Sequence, residues 1–96
     1  MNTLLLLVTY KTRSSLREEF INKIYASDIL EKIRQEDGCI SYNYYLDADN
    51  PDTILLVEEW VSEAYQKKHM QTLHMKEFMP VKESYVSATK VRKIQL

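Results

Sequence analysis

Two short runs of consecutive apolar residues, Leu4–Val8 and Ile54–Val57, constrain the fold of this chain most strongly. Each run is too short for a helix and is typical of a buried β-strand. A strand with one face in water alternates apolar and polar residues, and these two runs do not alternate. The sequence therefore predicts a sheet that is covered on both of its faces.

Four segments have strand character: 3–10, 39–46, 53–61 and 90–96. Helical regions lie between the first and second and between the third and fourth. The predicted order is β-α-β-β-α-β, which is the ferredoxin-like arrangement of an α+β domain, with an antiparallel sheet and helices on one face. A chain of 96 residues has room for one domain, so we expect a single domain over residues 1–96.

Capping and breaking residues mark the helix boundaries. Ser15, with Glu18 three residues later, forms a capping-box pattern that predicts the start of the first helix. Gly38, the only glycine of the chain, predicts the end of that helical region. In the second region we expect a break near Thr72–Leu73, followed by a short helical stretch that Pro80 disturbs or kinks.

Helices on one face leave the other face of the sheet without a cover. The simplest cover is the same face of a second copy, related by a two-fold axis. We therefore expect a homodimer in which the two sheets pack together as a dimeric α/β barrel. The alternative is that the helical segments wrap further around the sheet.

Charge and cysteine content exclude several classes of protein. The chain has 13 basic and 14 acidic residues, interleaved, so the basic face of a nucleic-acid binder is missing. The longest purely apolar run has five residues, which is too short to span a bilayer. Cys39 is the only cysteine, which excludes an internal disulfide and suits a reducing compartment. We expect a cytoplasmic protein that binds neither nucleic acid nor membrane.

The most informative stretch of the sequence is 57–78, VEEWVSEAYQKKHMQTLHMKEF. It resembles the antibiotic biosynthesis monooxygenase family, whose hallmark is approximately E-x-W, a few residues, then H-x-x-[ST]-x-H-[MF]. The matching positions are Glu58, Trp60, His69, Thr72, His74, Met75 and Phe78. The segment 35–45, QEDGCISYNYY, also resembles the family's E-x-G-C-x-x-Y pattern, with Glu36 and Tyr42 matching.

This resemblance implies a cofactor-free monooxygenase that acts on a small quinol-like or polyhydroxy-aromatic substrate with dioxygen. A deprotonated dihydroxyaromatic compound is electron-rich enough to reduce dioxygen directly, so neither a metal nor a flavin is expected. The protein would contribute desolvation, orientation and help with proton transfer. The resemblance also implies a pocket in each subunit, between the sheet and the helices.

His69 and His74, the only histidines, are the candidate catalytic residues. Imidazole titrates near neutrality, so either ring could take a phenolic proton or hold an oxyanion. On one continuous helix the two rings would point roughly 140° apart, which argues against a metal pair. They would share a pocket only if the helix breaks near Thr72–Leu73. The alternative is that one or both cap helix ends or bond to backbone carbonyls.

The candidate substrate-binding residues are an acid and five aromatics: Glu58, Trp60, Tyr42, Tyr44, Phe20 and Phe78. Trp60 could stack on an aromatic ring, and Glu58, on the same strand face, would be a buried acid with a raised pKa. Tyr42 and Tyr44 share a face of the second strand, where their hydroxyls could orient a ligand. For the five aromatics packing is the alternative, and it is favoured for the tryptophan and the tyrosines; for Glu58 the other interpretation is likewise favoured. Glu58 could instead hold a partner across the dimer.

Two other functions stay open. An isomerase acting on a small phosphorylated ketone would need cationic anchors, for which Arg13 and Lys11 are the candidates. A non-catalytic module that binds a small ligand or only dimerises predicts a pocket with no ionisable group pointing into it. An enzyme is favoured if His69 and Trp60 line one cavity, and the isomerase if a strong anion site lies beside them.

Overall fold

A computed structural model describes residues 2–96, so the first residue of the predicted domain lies outside the described part. The strands are β1 (Leu4–Thr12), β2 (Cys39–Leu46), β3 (Thr53–Trp60) and β4 (Val86–Gln95). The helices are α1 (Arg17–Ala26), α2 (Ile29–Arg34), α3 (Glu63–Met70) and α4 (Leu73–Tyr85). The predicted ferredoxin-like α+β arrangement is confirmed, with each of the two helical regions divided into two helices.

The four strands form one antiparallel sheet in the order β2-β3-β1-β4. In the central pair, Leu4 stands opposite Trp60 and Leu6 opposite Glu58. On the other side of β3, Tyr42 also stands opposite Glu58. Directly opposite residues share a sheet face, so this register gathers Glu58, Trp60 and Tyr42 on the face that carries the helices.

The faces of the two central strands differ in burial. Along β1, Leu4 and Leu6 are buried, whereas Leu5 and Leu7, which alternate with them, are only half-buried. Strand β3 repeats this alternation, with Val57 on the half-buried face. The helices pack on the buried face, where the core lies. The second face therefore carries apolar side chains that are only half-buried in one chain.

The first helix begins one residue later than its capping-box pattern predicts. Helix α1 starts at Arg17, and Ser15 has a φ of 65°, in the left-handed region. An N-cap residue needs an extended backbone, so Ser15 cannot cap the helix. Its N–H instead donates to Asp52 Oδ1 at 3.0 Å. The prediction of a capping box at Ser15 is wrong because a distant side chain holds this turn.

Helix α4 runs through Pro80 to Tyr85, and β4 follows at once from Val86. A proline inside a helix removes one backbone hydrogen bond. Met75 and Phe78 of the same helix are buried in the core, and this packing offsets the loss. The helix therefore does not end at Pro80, and β4 begins four residues before the predicted Lys90. No helix within residues 2–96 is long and apolar enough to cross a membrane.

Candidate active site

A break between α3 and α4 determines where the two histidines point. Helix α3 ends at Met70, and Thr72 is the N-cap of α4. The Thr72 hydroxyl donates to the His69 carbonyl oxygen at 2.8 Å and accepts from the Met75 N–H at 3.3 Å. The predicted break near Thr72–Leu73 is thus confirmed. It removes the angular separation that a continuous helix would impose on His69 and His74.

Both histidines meet one carboxylate oxygen. His69 Nδ1 and His74 Nε2 each lie 2.8 Å from Glu36 Oε2. Glu36 lies in the turn between α2 and β2, where its N–H donates to the Ile33 carbonyl and its carbonyl accepts from the Cys39 N–H. Two backbone hydrogen bonds thus hold in place the residue whose side chain binds both rings. The alternative, in which the histidines bond to backbone carbonyls, does not describe these two contacts.

His69 lies in the interior, against residues predicted for the substrate site. Its side chain is 1% exposed, and its ring centroid is 4.7 Å from that of Trp60 and 5.6 Å from that of Tyr42. Trp60 Nε1 in turn donates to Glu58 Oε1 at 3.0 Å. The fold thus brings together four residues that the sequence assigned separately to catalysis and binding.

Burial changes the acid–base character of this interior. It raises the pKa of Glu58, although the hydrogen bond from Trp60 acts in the opposite direction. It also raises the pKa of Tyr42 and of Tyr44, whose rings lie edge to face at 5.9 Å. The pKa of Tyr10 is raised by the same cause. The phenols therefore stay protonated near neutral pH and can donate hydrogen bonds to an oxyanion.

A cavity of about 190 Å³ opens between α4 and the junction of α1 with α2. His74 and Phe78 line it, and neither His69 nor Trp60 does, so this cavity does not meet the condition, His69 and Trp60 in one cavity, that would favour an enzyme. Phe20 lies behind Phe78, with ring centroids 6.1 Å apart. The site therefore has two parts: an interior cluster around His69 and an outer cavity at His74, joined through Glu36.

Glu36, His69 and His74 also form a group whose donor atoms lie within 4.8 Å of one another and could hold a metal ion. The helix break removes the geometric argument against a metal pair. However, the nitrogen–oxygen distances of 2.8 Å are those of hydrogen bonds. Ligands around a tetrahedral zinc ion stand roughly 3.3 Å apart, so an ion would have to replace both hydrogen bonds and separate the groups.

The cations considered for an isomerase lie at the far end of β1. Leu4 pairs with Trp60 at one end of the strand, and Arg13 follows the other end. At about 3.3 Å per residue, this places the Arg13 backbone roughly 30 Å from the Leu4 backbone. The guanidinium of Arg13 also donates to the carbonyls of Ser84 and Glu83. Neither Arg13 nor Lys11 can anchor a small ligand beside His69.

Glu36 is the site residue that sequence reasoning did not assign. In the sequence it matches a family pattern, and that match implies no role for it in the site. The bonds that place it there join residues 33 and 38 positions apart, so no local pattern could show them. The available signal was the position of Glu36 two residues before Gly38, within the same matching segment as Tyr42.

Comparison with known proteins identifies the family to which this chain belongs. The family model described as antibiotic biosynthesis monooxygenase matches residues 3–81. The chain is a member of that family.

Three similar proteins illustrate the relationship. An uncharacterized protein of Synechocystis is 35% identical over 69 residues, which are 72% of this chain and 46% of that protein, so the chain spans about half its length. The probable quinol monooxygenase YgiN of Escherichia coli is 29% identical over 75 residues, which are 70% of this chain and 72% of YgiN. The crystal structure of PA3566 from Pseudomonas aeruginosa superposes with a TM-score of 0.87 at 21% identity, over 100% of this chain and 95% of that one. This last likeness shows a shared fold.

Proposed function

We propose that the protein is a cofactor-independent monooxygenase that acts on a small quinol-like or polyhydroxy-aromatic substrate with dioxygen. The observation that carries the proposal is the buried His69 ring, which is bound to Glu36 on one side and packed against Trp60 and Tyr42. This arrangement offers a base and aromatic walls in one water-poor interior. The name of the relative from Escherichia coli, a probable quinol monooxygenase, supports the same chemistry.

The first step is removal of a phenolic proton by His69. Its Nδ1 is engaged by Glu36, so Nε2 is the nitrogen that can receive the proton. The resulting quinolate is electron-rich and reduces dioxygen directly. The protonated phenols of Tyr42 and Tyr44 are donors that could hold the substrate's oxyanion in place.

The reaction balances without an external reductant. One oxygen atom forms a bond to a ring carbon and is retained as the carbonyl or hydroxyl oxygen of a hydroxyquinone. The oxygen–oxygen bond then breaks, and the other atom leaves as water with two hydrogens from the substrate. All the electrons come from the quinol. The protein's residues need only move protons, orient the ring and exclude water.

The outer cavity is the proposed entrance for the substrate. Its volume of about 190 Å³ is below the roughly 300–1,000 Å³ of pockets for drug-sized ligands, which favours a small ring. Phe78 provides an aromatic wall there, and His74, with a side chain 19% exposed, lies between the cavity and Glu36. Movement of the His74 ring would open a route from the cavity to His69.

The two alternative functions are less well supported. An isomerase would need a free cation beside His69, and Arg13 lies at the opposite end of β1. Two lysines line the outer cavity, but Lys32 is paired with Asp28 and the Lys23 ammonium lies over the Tyr85 ring. A non-catalytic module predicts a cavity without ionisable groups, whereas His74, Lys23 and Glu77 all line this one. We further propose that the chain works as one domain over residues 1–96, as a cytoplasmic homodimer.

Oxygen uptake by metal-free protein, given a panel of reduced naphthoquinols and anthrols, tests the proposal. Uptake above autoxidation is expected, with one atom from ¹⁸O₂ in the product by mass spectrometry. A His69→Gln variant, checked for folding by circular dichroism, should lose on the order of 10²-fold in rate. The matched control is Glu83→Gln, at an exposed residue outside the cavity lining, which should keep its activity. Uptake equal to that of buffer across the panel would overturn the proposal.

A further inference from the structure

We infer that Glu36 is a positioning residue that fixes the tautomers of both histidines and thereby makes His69, and not His74, the base. The inference rests on the proposed function for its catalytic meaning. Its structural content concerns three side chains that meet at one oxygen atom, Glu36 Oε2.

The tautomers follow from the hydrogen-bond geometry. An ionised carboxylate can only accept hydrogen bonds, so both nitrogens at 2.8 Å from Glu36 Oε2 must donate. A neutral imidazole has one N–H, and its other nitrogen carries a lone pair. Neutral His69 therefore has its proton on Nδ1 and its lone pair on Nε2. Neutral His74 has the reverse arrangement.

The surroundings of the two rings distinguish their roles. The His69 side chain is 1% exposed, and its Nε2 lies on the side of the ring away from Glu36, in the aromatic interior. The His74 side chain is 19% exposed and lines the outer cavity. A base acts most effectively where water does not compete for its lone pair. His69 is thus the base, and His74 lies between Glu36 and the cavity.

Glu36 is better suited to this task than the other acid nearby. The Oε1 atom of Glu58 already accepts a hydrogen bond from Trp60 Nε1. Among residues 2–96, the acid that shares a hydrogen bond with the His69 ring is Glu36. When His69 Nε2 takes a proton, the ring becomes a cation whose Nδ1–H still points at the Glu36 carboxylate. Such a charge-assisted hydrogen bond is stronger than a neutral one, so Glu36 also stabilises the product of proton transfer.

A glutamine at position 36 distinguishes the effect of the Glu36 carboxylate on the histidine tautomers from the effect of its size on packing. A Glu36→Gln side chain keeps the size of glutamate but is neutral, and its amide group can donate as well as accept. It can therefore pair with either tautomer of His69. We expect a mixture of His69 tautomers in this variant, and a kcat lower by about 10²-fold with little change in KM. Glu83→Gln, at an exposed residue of α4 outside the cavity lining, is the matched control and should change neither.

The test is ¹⁵N NMR of histidine-labelled protein at pH 8, without substrate. The expected wild-type result is protonated Nδ1 in His69 and protonated Nε2 in His74, with the His69 assignment lost in Glu36→Gln. A His69 ring protonated on Nε2 in the wild type would overturn the inference, and this measurement does not depend on whether any variant folds. The same tautomers in wild type and Glu36→Gln would also overturn it.

This experiment distinguishes the inference from the proposed function. If the tautomers are as expected and no quinol in the panel is oxidised, the proposed function fails and the assignment of Glu36 as the residue that orients both rings stands. If quinols are oxidised and the tautomers differ, the function stands and the inference about Glu36 fails.

Discussion

The Thr72 hydroxyl donates a hydrogen bond to the His69 carbonyl oxygen at 2.8 Å, and the same hydroxyl oxygen accepts from the Met75 N–H. One small side chain thus closes the end of α3 and opens α4. The direction change at this point lets rings on two helices reach one carboxylate. The geometry of the site therefore depends on a residue that touches neither ring.

Replacing Thr72 by alanine should weaken both the fold and the site. Loss of a hydroxyl N-cap costs about 1 kcal/mol in the free energy of unfolding. Oxygen uptake should also fall, because the two rings lose their common alignment on Glu36. Urea unfolding and oxygen uptake measure the two effects. Thr72→Ser keeps the hydroxyl and should behave like the wild type; equal stability of the alanine and serine variants would contradict the prediction.

Gly38 should tolerate no side chain. Its φ is 82°, and a Cβ at this position would overlap the ring of Tyr65. A left-handed backbone costs roughly 1–2 kcal/mol for a residue with a Cβ, and overpacking costs about 1–3 kcal/mol. We expect Gly38→Ala to lower the free energy of unfolding by about 3 kcal/mol.

A double variant separates the two causes. Tyr65→Ala removes the overlap with the ring but keeps the close contact with the Cβ of residue 65 and the backbone strain. Gly38→Ala should therefore lower the free energy of unfolding by less in a Tyr65→Ala background than in the wild type. Urea unfolding of the four proteins of this cycle provides the measurement. An equal decrease in the free energy of unfolding in both backgrounds would show that the Tyr65 ring moves aside freely.

Local patterns in the sequence were sufficient for most of the fold. Strand β2 occupies residues 39–46 as predicted, because its alternation and the preceding Gly38 are both local signals. The helix start predicted from Ser15 is wrong for the opposite reason, because the Ser15 N–H donates to Asp52, which is 37 residues away. The start of β4 was missed because Tyr85 passes into Val86 with no turn residue between helix and strand.

The candidate site was predictable in its residue types and faces. Trp60 and Glu58 share a strand face as expected, and the hydrogen bond between them follows from that placement. What the sequence could not show is the convergence of His69 and His74 on Glu36. That contact depends on the angle between α3 and α4 and on the turn before β2, which only tertiary packing determines.

Cys39 should react slowly with alkylating agents in the folded protein. Burial raises the pKa of its thiol to about 11, and the nearby charges of Glu36 and Glu58 act in the same direction. At pH 8 the thiolate population should be on the order of 100-fold smaller than in the unfolded chain. Iodoacetamide labelling with and without urea, followed by mass spectrometry, measures the ratio of rates. Similar labelling rates with and without urea would show that the pKa of the Cys39 thiol is not raised in the folded protein.

The half-buried face of the sheet should form the homodimer interface. Val57 lies on this face, so Val57→Lys should place a charge in the interface and produce monomers. Val91 pairs with Val8 on the opposite face and is 52% exposed, so Val91→Lys is the matched control and should leave the dimer intact. Light scattering should give twice the chain mass of 11.4 kDa for the wild type and the control. A monomeric wild type would contradict the prediction.

Glu58 should make stability depend on pH. Burial raises its pKa in the folded protein, so the native state keeps the proton at pH values where the unfolded chain has released it. Stability therefore falls as pH rises from the ordinary carboxyl value of 4.5 through the raised value. Glu58→Gln removes this dependence and keeps an oxygen that can accept from Trp60 Nε1.

The variant should be more stable than the wild type at pH 7, and the difference should shrink toward pH 4.5. Urea unfolding of both proteins at several pH values gives the comparison, with Glu77→Gln at the cavity rim as the control for loss of a carboxylate. A difference that stays constant with pH would mean that the Glu58→Gln effect arises from packing. A wild type more stable than the variant at pH 7 would mean that the Glu58 carboxylate is stabilised by its charge, which would contradict its raised pKa.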